Sequence, residues 1–286
     1  MSEEQILTYT SERAQQLADN YARVMARVRD AEADTSGVRT EHSPTVRLVT
    51  VTKFFPASDV AALYTQGVRI FGENRDQEAA PKARALRAIE KPADPAYWTF
   101  IGQLQTNKAK SVVKYAHQVQ SVDRSSLIDS LAKAYRNQVA RYETGEQDAP
   151  AALSQGALEC LIQVSLEAQA TAGHASEGAR GGTDQDEILE LAERIEAQEE
   201  LRCGGIMAVA PLGANPDESF EKLWELAQGL RAEFPHADQI SAGMSADLEA
   251  AIRWGSTLCA GRKRHHGEAR LPLDFYQVLL CKACSR

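Results

Sequence analysis

No apolar run in the chain reaches the ~18 residues that a helix needs to cross a bilayer. The opening residues, Met1 to Gln16, are acidic and polar and lack the apolar heart of a secretion signal. Cysteine is scarce: five in 286 residues, an odd number with no secretory signal, which argues against a disulfide framework. Positive charge is in deficit, with 32 Lys and Arg against 40 Asp and Glu and a net charge of −8. Neither nucleic acid nor an anionic membrane is therefore an expected partner. No Gly-x-Gly-x-x-Gly follows an apolar run, so the usual dinucleotide signature is missing as well. What remains is an ordinary globular composition, 43% hydrophobic and 25% charged, and a cytoplasmic location is expected.

Residues Glu3 to Ala33 contain no Pro or Gly and carry Ile6, Ala14, Leu17, Tyr21, Val24 and Val28 at helical spacing, which predicts an N-terminal amphipathic helix. Val46 to Lys53 reads as a strand, rich in β-branched residues and stopped by Pro56. Ser58 is the expected N-cap of a helix over Asp59 to Gln66. Apolar runs follow at Val68–Phe71, Trp98–Ile101, His117–Val122, Leu158–Val164, Gly204–Val209 and Gln239–Ser241, separated by helical stretches, the last at Ser245–Trp254. Seven strands alternating with helices imply a parallel sheet. An eighth strand after Gly255-Ser-Thr257 would make an α/β fold, a single-domain (β/α)8 TIM-type barrel. A doubly wound open sheet is the competing arrangement. Thr144 to Gly156 and Ala168 to Thr183, rich in small and polar residues, read as mobile surface insertions.

Function in such a barrel collects where strands end. The first strand ends in Thr52-Lys-Phe54, a lysine entering an apolar stretch. Either Lys53 lays its stem along the rim, or it is desolvated at the mouth, where its amine is freed to attack an aldehyde. Phe71-Gly-Glu-Asn74 and Phe100-Ile-Gly-Gln-Leu-Gln-Thr-Asn-Lys108 end the next two strands with Gly for close approach and amides for donors and acceptors. Turn chemistry alone explains either one equally well. Ile240-Ser-Ala-Gly-Met-Ser-Ala-Asp247 offers a sharp turn at Gly243 and Ser245 as cap of a helix whose first turn carries Asp247, a setting suited to phosphate. A phosphorylated aldehyde satisfies both the lysine and this turn.

These motifs, with Gly205-Ile-Met-Ala208, resemble the pyridoxal phosphate homeostasis protein family, whose fold is the alanine racemase N-terminal barrel; the likeness runs in order from about residue 10 to Thr257. The resemblance implies pyridoxal 5′-phosphate as cofactor, its aldehyde held as a Schiff base on Lys53. It implies Asn74 near the ring and Ser241, Gly243, Met244 and Ser245 at the phosphate. It also implies binding, storage or delivery of the cofactor rather than catalysis, with cofactor-dependent apoenzymes as partners. The alternatives are a pyridoxal-phosphate-dependent amino-acid racemase and a cofactor-free lyase acting on a sugar phosphate. Racemisation needs a second acid/base opposite the lysine, a Tyr of an added domain in alanine racemases; the residues after the barrel are too few for such a domain, although Tyr276 lies among them.

The ending departs from the family pattern x-Arg-x-Gly-Ser/Thr-Ala-Ile-x-Gly. Leu258 to Arg270 shows no strand pattern, and residues 259–286 read as an atypical tail after a barrel domain of residues 1–258. Back-translating Cys259 to Arg270 with permitted codons and reading from the second base gives Ala-Arg-Ala-Gly-Ser-Ala-Ile-Thr-Gly-Arg-Arg, so the tail reads as a shifted frame. A poorly closed barrel, disorder after Leu258 and weak cofactor binding are the expected consequences. Cys259, His265, His266, Cys281 and Cys284 lack the spacing of a zinc site, and no metal is expected.

Overall fold

The structure, a computed structural model, describes residues 6–34, 36–167 and 181–261. Eight parallel strands close into a barrel in sequence order: β1 (Arg47–Val51), β2 (Ile70–Glu73), β3 (Tyr97–Phe100), β4 (Gln118–Val122), β5 (Leu158–Gln163), β6 (Leu201–Met207), β7 (Gln239–Ser241) and β8 (Leu258–Gly261). This settles the fold in favour of the barrel over the open sheet.

The expectation of a poorly closed barrel is corrected. β8 pairs with β1 at four positions, from Arg47 opposite Leu258 to Thr50 opposite Gly261, so Cys259 to Gly261 belong to the barrel rather than to a tail. The small residues of Leu258-Cys-Ala-Gly261 carry no strand signal of their own. Pairing to the β-branched β1 makes them a strand. Residues 262–286, with His265, His266, Tyr276, Cys281 and Cys284, lie outside the described residues.

Helices cover the outside: α1 (Ser11–Glu32), α2 (Ala57–Thr65), α3 (Asp76–Leu86), α4 (Ala109–Val112), α5 (Ser125–Glu143), α6 (Ile188–Glu196), α7 (Pro216–Glu233) and α8 (Leu248–Arg253). The predicted N-terminal helix, whose residues Glu3 to Gln5 lie outside the described residues, is interrupted after Ile6 and resumes as α1 at Ser11, where the Thr10 side chain caps it, accepting from the N–H of Arg13 at 3.1 Å. α2 begins at Ala57, not at Asp59. Pro56 precedes it with no side-chain cap, and Ser58 lies inside the first turn. β6 begins three residues before the expected Gly204. Its two glycines sit at a register shift, where Cys160 faces Cys203 but Leu161 faces Gly205. A bulge of this kind needs Gly205, whose φ is +142° and whose added Cβ would lie 2.0 Å from the Gln239 carbonyl oxygen.

The segment Thr144 to Gly156 is not a free loop. It contains a 3-10 turn at Ala151–Gln155 with Ala152 buried, and the Gln155 amide donates to the carbonyl of His117 at 2.7 Å. Of the second insertion, residues 168–180 lie outside the described residues; Thr183 is buried and bridges to Val164.

Most buried apolar side chains lie between barrel and helices, among them Phe71, Leu86, Ile128, Ile195 and Phe220. Inside the barrel, Val49, Leu161, Met207 and Leu258 form a separate cluster. His117, just before β4, stacks on Tyr97 and accepts the Trp98 N–H at Nδ1 (3.1 Å). Burial lowers its pKa to about 4, and the Arg87 charge adds to the effect. The unfolded chain therefore takes up this proton near pH 6.5 while the fold resists it, and stability falls as pH drops from about 6.5 to 4, by about 3 kcal/mol. Urea unfolding midpoints should fall less steeply across that window in His117→Gln than in the parent.

Candidate functional site

The C-terminal mouth of the barrel gathers the sequence-predicted residues on one arc. β7, β8, β1 and β2 are successive neighbours, so the loops carrying Ser241–Ser245, Lys53 and Asn74 leave adjoining strand ends. The two flanks are tied by backbone. The Ala260 N–H donates to the Gly243 carbonyl at 3.0 Å and the Thr52 N–H to the Gly72 carbonyl at 3.1 Å. Gly102 of the third loop rests on Asn74, where a Cβ would meet its carbonyl oxygen at 2.2 Å. Gln103, Gln105 and Asn107 are exposed further along that loop and are not part of the arc.

Lys53 is half-buried between a buried Thr52 and an exposed Phe54. The turn is unusual. Phe54 has a φ of +67°, a left-handed conformation costing ~1–2 kcal/mol for a residue with a Cβ. Its N–H donates to Glu78 Oε2 at 2.9 Å, and the Arg75 guanidinium lies 5.0 Å over its ring. On the other side, Thr52 Oγ1 donates to Glu73 Oε1 at 2.7 Å. Lys82 Nζ donates both to the Thr52 carbonyl (2.8 Å) and to Glu73 Oε1 (2.7 Å). Glu73 is fully buried. Desolvation raises its carboxyl pKa, and Lys82 works in the opposite direction. Beside it, Asn74 Oδ1 is buried with no hydrogen-bond partner among the described residues.

The β7 end differs from expectation. Ser245 does not cap a helix: α8 starts at Leu248, and Asp247 precedes it rather than lying in its first turn. The Asp247 carboxylate instead closes the turn, accepting the Met244 N–H at 2.6 Å, while the Asp247 N–H returns to the Met244 carbonyl. Gly243, with φ +88°, fits where a Cβ would lie 2.6 Å from that of Ala251. Met244 is exposed, and Arg27 of α1 donates to the Ser245 carbonyl at 3.0 Å.

Ser241 closes a chain of interior hydrogen bonds that sequence reading missed. Glu159 accepts the Gln118 amide (2.6 Å), the Gln118 carbonyl oxygen accepts the Gln120 amide (2.7 Å), and the Gln120 oxygen accepts the Ser241 hydroxyl (2.7 Å). A carboxylate can only accept, so it fixes the sense of both glutamines and commits the Ser241 proton to the barrel interior. His117–Val122 reads as a strand from its sequence, but nothing in that run marks two inward glutamines as a relay. Lys82 and Glu78 were missed too. Their i,i+4 spacing on α3 was the available signal, and they stand 3.8 Å apart.

Comparison with known proteins gives the family. Residues 32–259 match the family described as alanine racemase, N-terminal domain. The pyridoxal phosphate homeostasis protein of Mycobacterium tuberculosis is 36% identical over 220 residues, 74% of this chain and 78% of that protein. The chain belongs to this family. The Escherichia coli member is 31% identical over 248 residues, covering 84% of this chain and 93% of its own. Among solved structures, an unknown protein from Bifidobacterium adolescentis superposes with a TM-score of 0.71 at 26% identity, over 89% of this chain and 96% of that one. PipY of Synechococcus elongatus, solved with PLP bound, gives 0.64 at 24% identity over 86% and 97%, a likeness of fold. Among the described residues, no helix is long and apolar enough to cross a membrane.

Proposed function

We propose that this chain binds pyridoxal 5′-phosphate at the barrel mouth through Lys53 and serves homeostasis of that cofactor in the cytoplasm, without catalytic turnover of its own. The observation that carries this reading is the half-buried Lys53 in a turn gripped on both sides at the C-terminal mouth of a closed barrel. The names of the relatives support the same reading. The donor set fits the cofactor: an amine for an aldehyde, an unpartnered buried amide oxygen on Asn74 for a polar ring edge, and the Gly243 turn for a phosphate. When bound, the aldehyde supplies a carbon with which an amine forms a Schiff base, releasing water.

Each residue has a separate task. Lys53 offers the nucleophile. Asn74 is set to hold and orient the ring edge, and the Ser241–Ser245 loop, pinned by Asp247 and Arg27, to receive the phosphate end. The Ser241 hydroxyl already donates to Gln120, so its proton reaches a phosphate only by giving up that bond. Borohydride reduction of the loaded protein followed by peptide mapping should place the label on Lys53. The same preparation should racemise alanine far more slowly than ~1 s⁻¹, the low end for ordinary enzymes. Turnover at that rate would defeat the carrier reading in favour of a racemase.

A further inference from the structure

The turn that carries Lys53 is held from one helix face and one strand end. Residues 75, 78 and 82 of the α3 region touch it in sequence. Arg75 lies on the Phe54 ring, Glu78 takes the Phe54 N–H, and Lys82 donates to the Thr52 carbonyl. Glu73 at the end of β2 completes the group by accepting from both Thr52 Oγ1 and Lys82. The backbone is thus fixed one residue before Lys53 and one residue after it. Lys82 is buried and has no solvent-facing task, and a buried ammonium is retained in folds only where it is paired. A pair placed merely for stability would need only Glu73. This one spends a further short bond on the carbonyl that precedes the nucleophile. The left-handed Phe54 shows why a grip is needed, since the turn is not one its sequence prefers.

We propose that Lys82, charge-balanced by Glu73, is a positioning residue that aims the Lys53 amine at the incoming aldehyde carbon. This rests on the function proposed above for Lys53. The reaction it assists is a condensation: the neutral Lys53 nitrogen bonds to the aldehyde carbon, the C=N bond forms as the nitrogen gives up its two hydrogens, and these leave with the aldehyde oxygen as water. The effect of Lys82 falls on the amine end alone and is indifferent to the phosphate.

The test uses the full chain titrated with pyridoxal and with pyridoxal 5′-phosphate. Lys82→Met combined with Glu73→Gln removes both charges together and leaves no lone buried ion. Both aldehydes should bind more weakly by the same factor, roughly ten- to hundred-fold, the scale of a misplacement of about 1 Å. Circular dichroism of the visible band, which reads the chromophore's orientation, should change while far-ultraviolet dichroism and Tm are kept. If the double variant does not fold, Lys82→Arg, which keeps a cation beside Glu73 but not the ammonium geometry, is judged by the same criteria. Parental affinity and visible dichroism in whichever variant folds would overturn the proposal. So would a loss confined to the phosphorylated aldehyde, or one that merely tracks a fallen Tm. Lys53→Ala separates the two claims: a visible band that survives there defeats the function itself, whatever Lys82 does.

Discussion

Lys53→Ala should abolish the visible absorbance of the Schiff base completely and leave the barrel intact. The bonds around the turn are made by the carbonyl and hydroxyl of Thr52 and the N–H of Phe54, none of which the substitution removes. Stability should therefore move by no more than about 1 kcal/mol. Among the described residues, the buried amine beside the turn cannot substitute. Lys82 is the buried lysine of this neighbourhood, and its ammonium is committed to Glu73 and the Thr52 carbonyl. Using it as a nucleophile would strand Glu73 as an uncompensated buried carboxyl, at a cost of about 3–5 kcal/mol. Absorbance spectra of the parent and variant after addition of the cofactor read the result directly. An unchanged spectrum would mean that another lysine reacts.

What the sequence makes legible here is what local pattern encodes. The β-branched run of β1 and the alternation of short strands with helices give the barrel, and a lysine at the end of an apolar strand gives Lys53. What it hides is set by tertiary pairing. β8 is a strand because β1 lies beside it, and Gly204-Gly205 is a bulge inside β6 rather than a break before it. The two inward glutamines of β4 and the grip of Lys82 on Thr52 depend on contacts across 20 or more residues of sequence, which periodicity cannot reach. The start of α8 shifts for a local reason. Asp247 spends its carboxylate on the Met244 N–H, and the turn ends the loop where a Ser cap had been expected.

The ending of the chain carries the second large effect. Along β8 the side chains alternate: Leu258 packs inside the barrel with Val49 and Met207, and Cys259 packs outside with Val28 and Ala31. Ala260 therefore faces inward, opposite Val49, and its N–H holds the Gly243 carbonyl of the Ser241–Ser245 loop. In the family-like reading of the shifted frame, this position is arginine and a Gly-Ser pair follows two residues later. A guanidinium there would stand at the barrel mouth beside Gly243, and each charge-assisted hydrogen bond to a phosphate is worth ~1.5–3 kcal/mol. Replacing residues from 259 onward by Ala-Arg-Ala-Gly-Ser-Ala-Ile-Thr-Gly-Arg-Arg adds two such partners. It should tighten binding of pyridoxal 5′-phosphate by roughly two to four powers of ten. Ala260→Arg alone should recover about half of that gain on a logarithmic scale. Pyridoxal, which has no phosphate, should bind both endings alike. Fluorescence titrations of the two chains with the two aldehydes decide the matter: equal affinity of both endings for the phosphorylated form would sink the shifted-frame reading, because the inward position 260 would then have no part in holding the phosphate.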